Sequence, residues 1–185
     1  KEFIKMALVE STKMKTMIND LLAFNSFAVQ AVPVKMETLR INDIVGDIVR
    51  SWGATHPQID LHISLLEEDT LVRADAVRVQ QILSNLLTNA EQSMDGNGTI
   101  HVTLQMDKHF IIVDVQDSGC GIPLAEQPFI FERFYRGEQK KYKIRGLGLG
   151  LALSKMMAQS IGGDLTLVNS TAQGTTFRLK LVKTF

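Results

Sequence analysis

Two pairs of alternating apolar runs, at 99–106 with 110–116 and at 164–169 with 175–182, are separated by too few residues for a crossover connection. Asp107-Lys108-His109 suits the first turn and Gln173-Gly174 the second. Strands joined that tightly pair antiparallel, so two hairpins are specified before anything else is read. Ile59, Leu61, Ile63 and Leu65 alternate with Asp60, His62 and Ser64, the period of a half-buried strand. Thr38 to Ile41 and Thr70 to Arg73 are shorter strand candidates. Helices fall between them. Asn42 or Asp43 can cap one that runs to about Trp52. Asp75 is placed to cap a second, over about 76–94. Its buried stripe is Val79, Leu83, Leu86, Leu87 and Ala90, and Asp95-Gly96-Asn97-Gly98 ends it. A third covers about 148–161, ahead of Gly162-Gly163. The order is β-α-β-β-α-β-β-loop-α-β-β, which predicts an α/β two-layer sandwich with one mixed sheet and its helices on one face. The patternless stretch 117–147 is long for a plain connection, and such loops are often functional lids.

Residues 1 to about 30 read as one long helix, with Met14, Met17, Ile18, Leu21 and Leu22 at three- and four-residue spacing. It has no sequential partner, and Phe3, Ile4, Met6, Ala7 and Leu8 add further apolar surface. A helix of this kind completes its core in a bundle or a dimer. Val32-Pro33-Val34 marks a boundary, dividing the chain into a partial helical element at 1–32 and a compact domain at 33–185. The chain opens on Lys1-Glu2-Phe3-Ile4, so it reads as a piece of a longer protein, with any sensor or membrane anchor expected upstream. Its most apolar stretch, Gly146 to Leu153, is short and glycine-rich, far from the roughly 18–20 residues that span a bilayer. The lone Cys120 cannot form an internal disulfide, which fits a reducing, cytoplasmic setting. Twenty basic and twenty acidic residues cancel, which argues against a nucleic-acid partner but leaves room for a small anion.

Three segments carry chemistry. Asn85, Asn89 and Gln92 lie at i, i+4 and i+7, so they stack on one face of the second helix, beside its apolar stripe. Carboxamide oxygens can ligate a hard cation without adding charge, although a solvated polar face would look the same. Asp117-Ser118-Gly119-Cys120-Gly121-Ile122-Pro123 follows a strand directly. The glycines allow close backbone approach, and the aspartate can accept a hydrogen bond from an exocyclic amine; an ordinary Asx turn is the alternative. Gly146-Leu147-Gly148-Leu149-Gly150 runs into an apolar helix, where exposed N–H groups and the positive helix end suit a phosphate. It is neither the Walker loop nor the dinucleotide fingerprint. Just upstream, Arg136, Lys140, Lys141, Lys143 and Arg145 face a single acid, Glu138, which favours a polyphosphate over a plain hinge.

Taken in order, these segments resemble the catalytic domain of sensor histidine kinases, within the GHKL ATPase superfamily, over about residues 38–182. Asn85-Leu-Leu-Thr-Asn89-Ala90 resembles the N box, Asp117-x-Gly119-x-Gly121 the G1 box and Phe131-Glu-Arg-Phe134 the F box. Gly146-x-Gly148-x-Gly150 resembles the G2 box and Gly174-Thr175-Thr176-Phe177 the last. The resemblance implies the Bergerat ATP-binding fold, with ATP and Mg²⁺ as cofactors. It implies that Asp117 binds the adenine amino group, with Gly121 and Thr175 or Thr176 nearby. Asn89 ligates Mg²⁺, and Asn85 and Gln92 flank the phosphates. Gly148 and Gly150 bring N–H groups to the phosphates, and Ile122, Leu147 and Leu149 belong to the same site. Residues 135–147 form a lid, starting at Tyr135, with Phe131 and Phe134 anchoring its base. Gyrase and heat-shock relatives carry a water-activating glutamate where this chain has Asn85, so ATP is expected to be kept for transfer to a histidine.

Two departures stand out. Where the family often has Lys and Tyr, this chain has Gln92 and Ser93, which shifts a phosphate contact toward Lys143 or Arg145. The last glycine run begins Arg145-Gly146-Leu147 rather than with a Gly-Gly-Thr. Cys120 holds a variable position and reads as filler. Ile18-Asn19-Asp20-Leu21-Leu22 resembles the second helix of the dimerisation and phosphotransfer domain, whose first helix would carry the acceptor histidine. His56, His62, His101 and His109 lack that context. His62 reads as outward on a strand and His109 as part of a turn. The chain is thus expected to bind Mg·ATP without phosphorylating itself, and its implied partners are its own dimerisation helix in a homodimer and a response regulator. An anti-sigma-type serine kinase and a nucleotide-gated binding module are the alternatives.

Overall fold

The structure is a computed structural model that describes residues 33–68, 70–137 and 147–184, preceded by Phe3, Ser11, Met14, Lys15 and Ile18. Those five are helical and exposed. The rest of the helix expected over 1–30, with its bundle role, lies outside the described residues. Among the described residues the order is β1 (Glu37–Arg40), α1 (Ile41–Thr55), β2 (Ile59–Ser64), β3 (Leu71–Ala74), α2 (Ala76–Ser93), β4 (Gly98–Met106), β5 (Phe110–Asp117), a short 3₁₀ turn (Gln127–Phe129), α3 (Gly150–Ser160), β6 (Asp164–Thr171) and β7 (Gly174–Val182). Element for element, this is the predicted sequence of strands and helices. No described helix is long and apolar enough to cross a membrane.

The main sheet has five strands in the order β2-β4-β5-β7-β6. Only β2 and β4 run parallel, joined by a crossover through β3 and α2; the other pairs are antiparallel. Asp107 closes the β4–β5 hairpin by accepting from the N–H groups of His109 (2.8 Å) and Phe110 (2.7 Å). The bond from His109 N–H, then that from Phe110, holds its carboxyl below the ordinary carboxylate range. The period of two is explicit in β4: Ile100 and Val102 are buried while His101 between them is exposed. The apolar face meets α2, which buries Val79, Ile82, Leu83, Leu86 and Leu87. Each such side chain contributes about 1.5–3 kcal/mol, so the sheet and α2 fix the frame on which the site is hung. On the opposite face, Arg178 forms a two-pronged pair with Asp114 (2.7 and 2.8 Å). His62 faces outward as expected, stacked on His101 with ring centroids 4.8 Å apart.

Two expectations need correction. The strands do not all join one sheet: β1 and β3 pair with each other as a separate antiparallel ribbon. Each spans only four residues, and a single bridge from Val72 to Lys183 links the ribbon to the end of β7. Nor does Asn42 or Asp43 cap α1, which begins at Ile41 without a side-chain cap. Asn42 instead grips the backbone of Leu66, donating to its carbonyl (2.9 Å) and accepting from its N–H (3.1 Å). Two bonds to a peptide 24 residues away outcompete one bond to the local helix end.

Asp75 does cap α2. Its Oδ1 accepts from the N–H of Val77 (3.0 Å) and Arg78 (3.2 Å), and its Oδ2 accepts from Lys35 N–H (2.9 Å). The same carboxylate lies 3.8 Å from the buried Arg78 Nε. Asp75→Ala is therefore expected to cost about 2 kcal/mol and lower the melting temperature by about 4–8 °C. Asp75→Asn should recover part of that loss, because it keeps a capping oxygen. An unchanged melting temperature for the alanine variant would show that this cap does not hold the helix end.

Candidate functional site

α2, the end of β5, the turn after it, the start of α3 and β7 surround one cavity of about 310 Å³, within the range of small-molecule sites. Asn85, Asn89 and Gln92 line it from the carboxamide face of α2, and Asp117 and Thr175 come from the sheet. Gly121, Ile122, Tyr135, Leu147, Gly148, Leu149 and Gly150 complete the expected residues on its wall. Segments far apart in sequence are thus brought together around one space. Lys143, Arg145 and Gly146 lie outside the described residues.

At one end stands Asp117, only 5% exposed. Its Oδ1 accepts from Gly119 N–H (2.8 Å) and from the Ser93 hydroxyl (2.9 Å). Gly119 is thus not on the cavity wall; its backbone holds the carboxylate. The turn beyond it is pinned to the β6–β7 hairpin. Ile122 N–H donates to Ser170 Oγ (2.8 Å), and that hydroxyl is 2.9 Å from Thr175 Oγ1. Of the two threonines left open by the sequence, Thr175 lines the cavity and Thr176 does not. Alternation along β7 sends neighbouring side chains to opposite faces.

At the other end, Asn85 Nδ2 donates to Ser154 Oγ (2.9 Å), tying α2 to α3. α3 begins at Gly150 with no side-chain cap, so its first-turn N–H groups and the positive helix end stay available to an anion. Gly150 packs against Asn85, where an added Cβ would lie 3.2 Å from Asn85 Cγ. Asn89 Nδ2 is buried without a hydrogen-bond partner among the described residues. Leaving such a group unpaired costs about 1–3 kcal/mol. A ligand rich in acceptor oxygens would satisfy the nitrogen, while the carboxamide oxygen suits a hard cation. The residues therefore fit a magnesium-bound polyphosphate.

The family model for histidine kinase-, DNA gyrase B- and HSP90-like ATPases matches residues 74–184. The chain belongs to this family. Its ATP-binding catalytic domain is of the kind found in sensor histidine kinases. It is similar to the sensor histidine kinase WalK of Bacillus subtilis (strain 168), with 30% identity over 185 residues, covering 97% of this chain and 30% of that protein. Among solved structures it is similar to full-length ShkA in complex with AMPPNP, with a TM-score of 0.80 and 23% identity over 97% of this chain and 38% of the other. It is also similar to ThkA in complex with the response regulator TrrA, with a TM-score of 0.77 and 23% identity, covering 100% of this chain and 51% of that one. The chain spans 30–40% of the length of the curated relatives it matches.

In this ATPase-family domain the two phenylalanines expected to anchor a lid differ in packing. Phe131 packs edge-on against Phe177 (centroids 6.2 Å apart) under Lys155 Nζ (4.7 Å). Phe134 is 58% exposed. Its backbone has φ at 63°, and its N–H donates to Gly148 O (3.0 Å). Gly148 answers with φ at 71°, and an added Cβ there would strike Tyr135 O. Tyr135 and Phe177 are the aromatics on the cavity wall among the described residues, and Tyr135 packs on Phe129 with centroids 5.8 Å apart. Arg136, expected in the basic run ahead of the glycines, is on the wall, and so are Ser93 and Glu126, which were not among the expected site residues. Ser93 had a signal, lying four residues beyond Asn89 on the same helix face.

Proposed function

We propose that residues 33–185 bind Mg·ATP and serve as the catalytic part of a cytoplasmic two-component protein-histidine kinase, with residues 1–32 as the second helix of its dimerisation and phosphotransfer domain. One observation carries the reading. A single cavity has a carboxylate held by protein donors at one end, and carboxamides with an uncapped helix start at the other. Asp117 accepts the adenine amino group, with Thr175 and Gly121 beside it. Asn85 and Gln92 flank the phosphates, and the N–H groups at Gly148 and Gly150 receive their charge. Asn89 would hold Mg²⁺, which offsets phosphate charge during transfer.

Asn85 also determines what is not activated. A neutral amide tied to Ser154 takes up no proton at neutral pH, so water beside the γ-phosphate gains no general base. The phosphoryl group is kept for an imidazole nitrogen, with ADP leaving. None of the described histidines lines the cavity. His56 stacks on Trp52, His62 and His101 lie on the outer sheet face, and His109 sits in a hairpin turn. An acceptor helix must therefore be supplied, in the full protein by its own homodimer. A response regulator as the next partner is supported by the ThkA complex, and ATP by the AMPPNP bound to ShkA.

The test is thermal unfolding with nucleotide. Mg·ATP at ten times its dissociation constant should stabilise the chain by about 1.4 kcal/mol, raising its melting temperature by about 3–6 °C. Asn89→Ala should erase the part of that shift that depends on Mg²⁺. Labelled phosphate should reach a histidine on an added acceptor helix. Absence of any shift with Mg·ATP, or label arriving on serine, would end this reading.

A further inference from the structure

The last residue of α2, Ser93, holds the purine-facing turn at two points. Its carbonyl accepts from Cys120 N–H (3.2 Å), and its hydroxyl lies 2.9 Å from Asp117 Oδ1. That hydroxyl has one proton and a second acceptor, the carbonyl of Ala90 at 2.8 Å. Charge decides between them, because a bond to a carboxylate is roughly twice as strong as one to a neutral carbonyl. Among the described residues, Oδ1 therefore carries Ser93 Oγ–H from α2 and Gly119 N–H from the turn as donors. The two positions are sized for each other. A Cβ at Gly119 would run into Ser93 Oγ and lie 2.7 Å from Ser93 Cβ.

We propose that Ser93 is a specificity-determining positioning residue, whose hydroxyl sets the Asp117 carboxylate so that the cavity selects purines bearing a 6-amino group. The proposal rests on the assignment of Asp117 to the adenine end. Donors from two separate elements fix the plane of the carboxylate, and removing one lets it turn away from the amine. Among the described residues no hydrogen bond joins Ser93 to Asn85, Asn89 or the start of α3, so the triphosphate end is expected to be untouched. The effect should therefore be confined to the base.

The test compares ATP with purine riboside triphosphate, which has the same sugar and phosphates but no 6-amino group, by calorimetry in Mg²⁺. The wild-type chain should prefer ATP. Ser93→Ala should reduce that preference about tenfold, by weakening ATP and leaving the amine-free nucleotide unchanged. Ser93→Thr, which keeps the hydroxyl, should restore it. Equal weakening of both nucleotides, or an unaltered preference, overturns the role of Ser93 alone. A wild-type chain that binds both nucleotides equally removes the Asp117 assignment and this inference together.

Discussion

Asp117→Asn should weaken ATP binding on the order of 100-fold, while leaving the ligand-free protein close to its normal stability. The substitution is nearly isosteric, so the effect is one of hydrogen-bond polarity. The Oδ1 position faces Gly119 N–H at 2.8 Å and the Ser93 hydroxyl at 2.9 Å. The backbone donor cannot be reversed, so the new amide must place its oxygen there and its NH₂ at the other carboxylate position. On the proposed binding mode that NH₂ meets the adenine amine, donor against donor. Two donors facing each other cost more than a missing bond, because neither is satisfied and both have left water. Titration of the variant with ATP and GTP is the measurement. A variant that still discriminates between them as the wild type does would show that the base is read elsewhere.

Gly121→Ala should cost more than about 3 kcal/mol and lower the melting temperature by about 6–12 °C, with nucleotide binding lost as well. Gly121 has φ at 72°, where an L side chain is strained. Lack of space weighs more heavily than that strain. A Cβ would fall on Thr171 O and 2.6 Å from Thr171 C, which are backbone atoms of the β6–β7 hairpin. Neither side can yield easily. Ile122 N–H is bonded to Ser170 Oγ (2.8 Å), and Gln127 Nε2 bridges Ile122 O (3.0 Å) and Ser170 O (3.4 Å). Gly96→Ala separates the two causes. Gly96 has φ at 87° but nothing within 4 Å of an added Cβ, so it should lose only about 1 kcal/mol. Should Gly121→Ala behave like Gly96→Ala in a thermal melt, the close backbone approach is not what fixes this turn.

Local chemistry made most of the fold legible. The hairpins followed from strand period and turn residues, and Asp75 followed from the pattern before an apolar stripe. What could not be read was set by distant partners. Nothing near Asn42 points to Leu66, and nothing in β1 or β3 distinguishes a private ribbon from membership of the main sheet. The site divides the same way. Asn85, Asn89 and Gln92 were legible as a helix face, and Asp117 as a strand end. Choosing Thr175 over Thr176 needed the register of β7 against β5. For Phe134 a motif gives the residue type, whereas its backbone conformation, with φ at 63°, decides where the ring goes. Ser93 is legible in the sequence as a residue of the Asn89 helix face, but the identity of its partner depends on how α2 meets the turn after β5.

The small ribbon has a consequence for how this unit can be connected to anything else. The backbone of Lys35 is fastened to Asp75 at the end of β3, and the backbone of Thr184 donates to Leu71 at its beginning (3.1 Å). The strand between them is four residues long. The backbones of residues 35 and 184 are thus held at the two ends of one short strand, the kind of closeness that goes with tolerance of circular permutation. A short loop joining residue 184 to residue 35 is expected to leave the cavity, which neither residue lines, unchanged.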